Sequence, residues 1–97
     1  MKYFIVEITY SIPIDKIAAI TPLHRGFLKQ WYEKGWFLMS GPQNPRVGGM
    51  VVARAPSLEE IQAVFQNDPY FLNDAATYKF TEFEPVMHAP VIDSWFE

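Results

Sequence analysis

The sequence predicts an α+β fold in which a four-stranded antiparallel sheet carries two helices on one face. Three observations predict it. Aromatic, β-branched and other apolar residues concentrate in four stretches, Lys2–Tyr10, Trp36–Pro42, Gly48–Ala53 and Ala76–Glu84, each bounded by Gly, Pro, Ser or Asn. Two intervening stretches repeat their apolar residues at helical spacing. The second and third strands are joined by the short connection Gln43–Val47, which reads as an antiparallel hairpin. The order β-α-β-β-α-β is the split βαβ, or ferredoxin-like, arrangement.

Each element has its own signals. In strand one, Phe4, Val6, Ile8 and Tyr10 alternate with Tyr3, Ile5, Glu7 and Thr9, giving one apolar and one mixed face. Glu7 reads as a solvated or interface residue, with catalysis the weaker alternative. Ile14–Lys34 is helical, with Ile17, Ile20, His24, Phe27 or Leu28 and Trp31 along one stripe. Thr21-Pro22 suits an N-cap followed by a first helical residue, so the expectation is a short turn over Asp15–Ala19, then the main helix, joined with a bend. Gly35 is its C-terminal stop. The hairpin strands are expected at the centre of the sheet, with Ser40, Gly41 and Pro42 at a strand end where a hydroxyl and backbone N–H groups can face a ligand. Ser57 and Glu60 form a capping box for a second helix carrying Leu58, Ile61, Val64 and Phe65. Asn67-Asp68-Pro69 ends that helix, and Asp68 caps one more turn over Pro69–Leu72. The last strand puts Tyr78, Phe80 and Glu82 on one face and Lys79, Thr81 and Phe83 on the other, and Pro85 stops it.

Size and composition bound what the chain does. Its 97 residues include eight Phe, five Tyr and three Trp, more bulky aromatics than a small monomeric core absorbs. A homodimer or higher homo-oligomer is expected, with two sheets packed face to face in a barrel-like core. The net charge of −3 and the singly scattered Lys and Arg argue against a nucleic-acid partner. Without cysteine there are no disulfides, thiolate metal sites or cysteine nucleophile. No signal peptide and no run long enough to cross a membrane is read, so the expectation is a soluble cytoplasmic protein. The chain reads as a single domain over 1–97, with its core over about 1–85. The tail, 86–97, carries Val91, Ile92, Trp95 and Phe96 and is expected to dock on its own domain or the partner's.

Few residues suit chemistry. His24 lies on the apolar stripe, away from the charged face of Lys29, Glu33 and Lys34, so it points toward the sheet. It is either a buried histidine satisfied by a carbonyl or carboxylate, or a proton carrier held in one tautomer by such a group. Asp68 is the candidate partner, at the end of helix two on the side where helix one packs; its plain role is capping. Ser40 and Gly41 can hold an oxygen, or else Gly41 has an unusual dihedral and Pro42 turns the chain. Ser40 is not a nucleophile, since no G-x-S-x-G elbow surrounds it. His88 reads as exposed, and no metal site or phosphate loop is present.

Together, the first strand, His24, Gly35, Ser40-Gly41-Pro42, the glycine-opened strand, Asp68-Pro69-Tyr70 and the closing strand with Tyr78 and Phe83 resemble the YciI-like (YCII-related) family from about Met1 to Pro85. The resemblance implies a dimeric α+β barrel similar to that of muconolactone isomerase. It implies a catalytic His24–Asp68 dyad with Ser40, Gly41 and Pro42 beside it in a pocket, which Tyr70 or nearby aromatics are expected to wall. A few relatives act on ring compounds, including dehydrochlorination of a chlorinated hydroxyquinol. The expected function is therefore cofactor-free general acid-base chemistry, an elimination or isomerisation of a small cyclic or aromatic substrate. Its rivals are a non-catalytic metabolite-binding module and a dimerisation scaffold.

Overall fold

The computed structural model describes residues 1–96; Glu97, the end of the expected tail, lies outside the described residues. The elements are β1 (Lys2–Tyr10), α1 (Ile14–Glu33), β2 (Phe37–Pro42), β3 (Gly48–Ala55), α2 (Leu58–Phe65), α3 (Pro69–Leu72) and β4 (Ala76–Phe83), followed by a 3₁₀ segment, Pro90–Phe96. The strands form one antiparallel sheet in the order β2-β3-β1-β4, the predicted ferredoxin-like α+β arrangement. One expectation fails: β2 is an edge strand. Its hairpin partner β3 pairs on its other side with β1, which leaves the second edge of β2 without a strand.

The core lies between the sheet and the helices. Phe4 and Val6 of β1 stand opposite Ala53 and Val51 of β3, so all four point to one face, where Ile17, Ile61 and Phe65 cover them. Helix α1 runs unbroken through Pro22, contrary to the predicted turn and restart. Thr21 is buried inside it and donates its hydroxyl to the Ile17 carbonyl at 2.9 Å. An interior proline costs about 3 kcal/mol. Fully burying each large apolar side chain returns about 1.5–3 kcal/mol, and Ile17, Phe27 and Leu28, on both sides of Pro22, are buried. One continuous helix keeps all three aligned.

The helix ends follow local chemistry. Gly35 adopts φ 79°, and the Gly35 and Trp36 N–H groups bond back to the Tyr32 and Trp31 carbonyls. That is a Schellman ending, with Trp31 and Trp36 in ring contact at 4.9 Å. Ser57 accepts the Glu60 N–H at 3.2 Å, but the Glu60 carboxylate receives the Ser57 hydroxyl, so this half of the predicted capping box differs. Asp68 caps α3 by accepting the Tyr70 N–H.

Two backbone features position the site. Between Phe37 and Met39 the register of β2 against β3 slips by one residue, so that Phe37 opposes Ala53 while Ser40 opposes Val51. Ala53 and Val51 both face the helices, so the bulge turns Ser40 to the helix side, which strict alternation from Phe37 would deny it. Close strand packing sets the other. A Cβ on Gly48 would lie 1.8 Å from the Ile8 carbonyl oxygen, so only glycine admits this approach of β3 to β1.

The opposite face of the sheet, with Ile5, Glu7, Met50 and Val52, carries no helix. The 3₁₀ segment reaches one end of it. Trp95 and Phe96 contact the Tyr3 ring at 5.6 and 5.2 Å, and the Trp95 indole donates to the Gly35 carbonyl at 3.0 Å. Arg54 donates to the carbonyls of Gly35 and Trp95. No helix among the described residues is long and apolar enough to cross a membrane.

Candidate active site

Helix α1 and the loop into α3 meet at His24 and Asp68. His24 is on the buried stripe of α1, and Asp68, at the N-cap of α3, is completely buried. Their side chains bond at 2.7 Å, Nδ1 to Oδ1. The same oxygen accepts the Tyr70 N–H at 3.1 Å, and Oδ2 accepts the Tyr78 hydroxyl at 2.7 Å. Because Asp68 acts as acceptor toward its partners, Nδ1 carries the imidazole proton in this arrangement and Nε2 is the ring nitrogen left with a lone pair.

Tyr70 stacks on His24, with ring centroids 4.0 Å apart at 20°. The Tyr70 hydroxyl lies 2.7 Å from Thr21 Oγ1. Thr21 already donates its single proton to Ile17, so Tyr70 is the donor in this contact. Burial is the main cause that pushes the Tyr70 hydroxyl above the usual tyrosine range. Burial, then the charge of Asp68, holds the Tyr78 hydroxyl far above it. Both phenols therefore serve as fixed donors.

A cavity of about 250 Å³ opens beside His24. His24, Ser40, Gly41, Pro42 and Tyr70 all line it. Asp68 does not; it stands behind His24, bonded to Nδ1. Ser40 reaches the cavity through the bulge in β2, and its hydroxyl pairs with the Tyr32 hydroxyl at 2.5 Å. Gly41 has no positive φ, so the unusual dihedral considered for it is absent, and a Cβ there would meet nothing within 4 Å. Gly49 is paired with both Ile8 and Pro42 and keeps the floor low by having no side chain.

Sequence reasoning missed three members of this region. Arg46, in the β2–β3 loop, lines the cavity and donates toward the Tyr10 hydroxyl. Thr21, an N-cap candidate by its place before Pro22, is instead a buried relay between Tyr70 and the helix backbone. Tyr78, which strand alternation places on one face of β4, reaches Asp68 from there. The one available signal for Arg46 is a lone cation in the short connection between Pro42 and Gly48. His88 is exposed, as expected, and it bonds Asp93 at 2.9 Å and stacks on Phe96. Among the described residues, no group of three or more metal-ligating side chains is gathered.

The sequence matches the YCII-related domain family over residues 1–84. No functionally curated protein matches it. Among solved structures, the fold is similar to 5-chloro-2-hydroxyhydroquinone dehydrochlorinase (TftG) from Burkholderia phenoliruptrix AC1100, in complex with 2,5-dihydroxybenzoquinone, with a TM-score of 0.72. The likeness covers 87% of this chain and 94% of that one at 15% identity, and so concerns the fold.

Proposed function

Because the chain belongs to the YCII-related domain family, we propose that the cavity beside His24 is the active site of a small-molecule enzyme, with His24 as proton carrier and Asp68 as the residue that orients it. The observation that carries this reading is the 2.7 Å bond from Nδ1 to a fully buried carboxylate, on a histidine whose ring lines a cavity. A carboxylate on Nδ1 holds one tautomer and stabilises the imidazolium formed when Nε2 takes a proton.

Two reactions suit that arrangement. In an elimination, Nε2 takes a proton from a ring carbon or hydroxyl, the freed electron pair forms a new double bond, and the leaving group departs with its own pair. In an isomerisation the imidazolium returns the proton to a second carbon. Ser40 and the neighbouring backbone of Gly41 and Pro42 hold a substrate oxygen, and Tyr70 walls the pocket. The ligand of TftG, a dihydroxybenzoquinone, is an oxygenated ring of the size this cavity accepts. We infer further that the helix-free sheet face packs on a second copy, as the surplus of aromatic and apolar side chains suggests.

The test is a panel of lactones, quinols and haloaromatics followed for loss of substrate. With a turned-over compound in hand, His24→Ala is expected to lose about 100-fold or more in kcat, the usual scale of acid-base catalysis. Full turnover by folded His24→Ala overturns the proposal. A second reading has its own support: Asp68 binds α1 through His24 and β4 through Tyr78, which suits a structural tie. On that reading the panel yields no turnover, and the His24 substitution acts on stability alone.

A further inference from the structure

The cavity also carries unbalanced positive charge. Arg25 and Arg46 both line it, and no Asp or Glu does. Among the described residues, the ion pairs are His24–Asp68 and His88–Asp93, so Arg46 has no carboxylate within reach. Its protein contacts are neutral and long, 3.4 Å to the Tyr10 hydroxyl and 3.5 Å to Thr21 Oγ1. Thr21 already donates to Ile17 and accepts from Tyr70, which leaves the guanidinium one lone pair at the outer limit of hydrogen-bond distance. A guanidinium has five N–H donors in a rigid fork that matches a carboxylate or a pair of acidic oxygens. Here two are used weakly, beside an opening.

We infer that Arg46 anchors an anion, and that the natural ligand of this cavity is a single-ring acid whose carboxylate, phenolate or enolate oxygen seats on the guanidinium while the ring lies against His24. The inference deepens the proposed active site and rests on it for the chemistry, though not for the binding. Thr21, which Arg46 touches, is three residues before His24 on one helix face, so their Cβ atoms are about 5–6 Å apart. One substituted six-membered ring spans that distance. The volume of about 250 Å³ falls just below the roughly 300–1,000 Å³ of drug-sized sites, which suits one ring and not two. Tyr70 and His24, stacked on each other, both line the cavity and put aromatic surface beside such a ring.

The probes are 2,5-dihydroxybenzoate and 2,5-dihydroxybenzamide, alike except for charge, titrated into the full chain and followed by amide NMR shifts. The acid is expected to bind about tenfold or more tightly than the amide, and to weaken as salt is raised. Arg46→Met should bring the acid down to the amide's affinity, with a spectrum that remains dispersed because Arg46 is exposed. Arg46→Lys should retain part of the preference. Equal affinity for the two probes overturns the inference, as does no binding of the acid at millimolar concentration, or a preference that survives Arg46→Met. Acid binding that depends on Arg46, without turnover of any ring acid, upholds the anion site and removes the proton-transfer reading alone. Turnover confined to neutral rings and untouched by Arg46→Met removes the anion site alone.

Discussion

Tyr78 donates its hydroxyl to Oδ2 of Asp68 at 2.7 Å, the carboxylate oxygen that His24 does not use. The buried charge is thus held from β4 as well as from α1 and α3. Tyr78→Phe removes one of its donors and should cost about 1–3 kcal/mol in a urea melt, the desolvation penalty of a polar group left short of a partner.

The same contact fixes a pH dependence. Burial, then Asp68, raises the Tyr78 hydroxyl, so the folded chain keeps a proton that the unfolded chain releases near pH 10. The native state then binds more protons than the unfolded one, and stability falls as pH rises. Stability should be unaffected by this group below about pH 10 and decline above it. Tyr78→Phe should flatten that decline, measured as melting temperature against pH.

Asp68→Asn and His24→Ala should separate in their effects. His24→Ala leaves Asp68 with the Tyr70 N–H and the Tyr78 hydroxyl, so its cost should be near 1–3 kcal/mol. Asp68→Asn turns an amide NH₂ toward donors that converge on the carboxylate, so it should cost more than His24→Ala, about 1–3 kcal/mol for each buried donor left unpaired. On a turned-over substrate both should lower kcat, with KM little changed.

Gly48→Ala should be among the most damaging single changes in the sheet. Its Cβ would stand 1.8 Å from the Ile8 carbonyl oxygen, forcing β1 and β3 apart at a loss of about 3 kcal/mol or more. Gly41→Ala is the control, because nothing lies within 4 Å of its Cβ. Paired thermal melts of the two variants measure the difference.

Ile5→Glu should test the second copy. Ile5 stands opposite Val52 on the helix-free face, half-buried and away from the cavity. If that face pairs with its twin, a charge there yields a monomer by sedimentation while the circular dichroism spectrum stays the same. An unchanged sedimentation coefficient refutes the pairing.

Much of this architecture is legible because it is decided within a few residues. The β1 alternation, the Ser57 cap, the Gly35 stop and the Asp68 cap of α3 each depend on a side chain and the backbone of its own turn. Pro22 misled for the same reason: the local rule favours a helix start there, but the core stripe on both sides of it prevails. His24 was identified as inward-facing by periodicity, and its partner by position in the topology together with a family resemblance.

The residues alone thus determined, for the most part, which segments become strands and helices, and which helix face, with His24 on it, turns inward. Folding decided the rest: that β2 is an edge, that a bulge turns Ser40 to the helices, that Tyr78 joins Asp68, and that Arg46 hangs over the cavity. The physical reason is separation along the chain. His24 and Asp68 are 44 positions apart, and Thr21 and Arg46 are 25 apart. Contacts of that kind cost loop-closure entropy and form only once the shared core holds both ends in place.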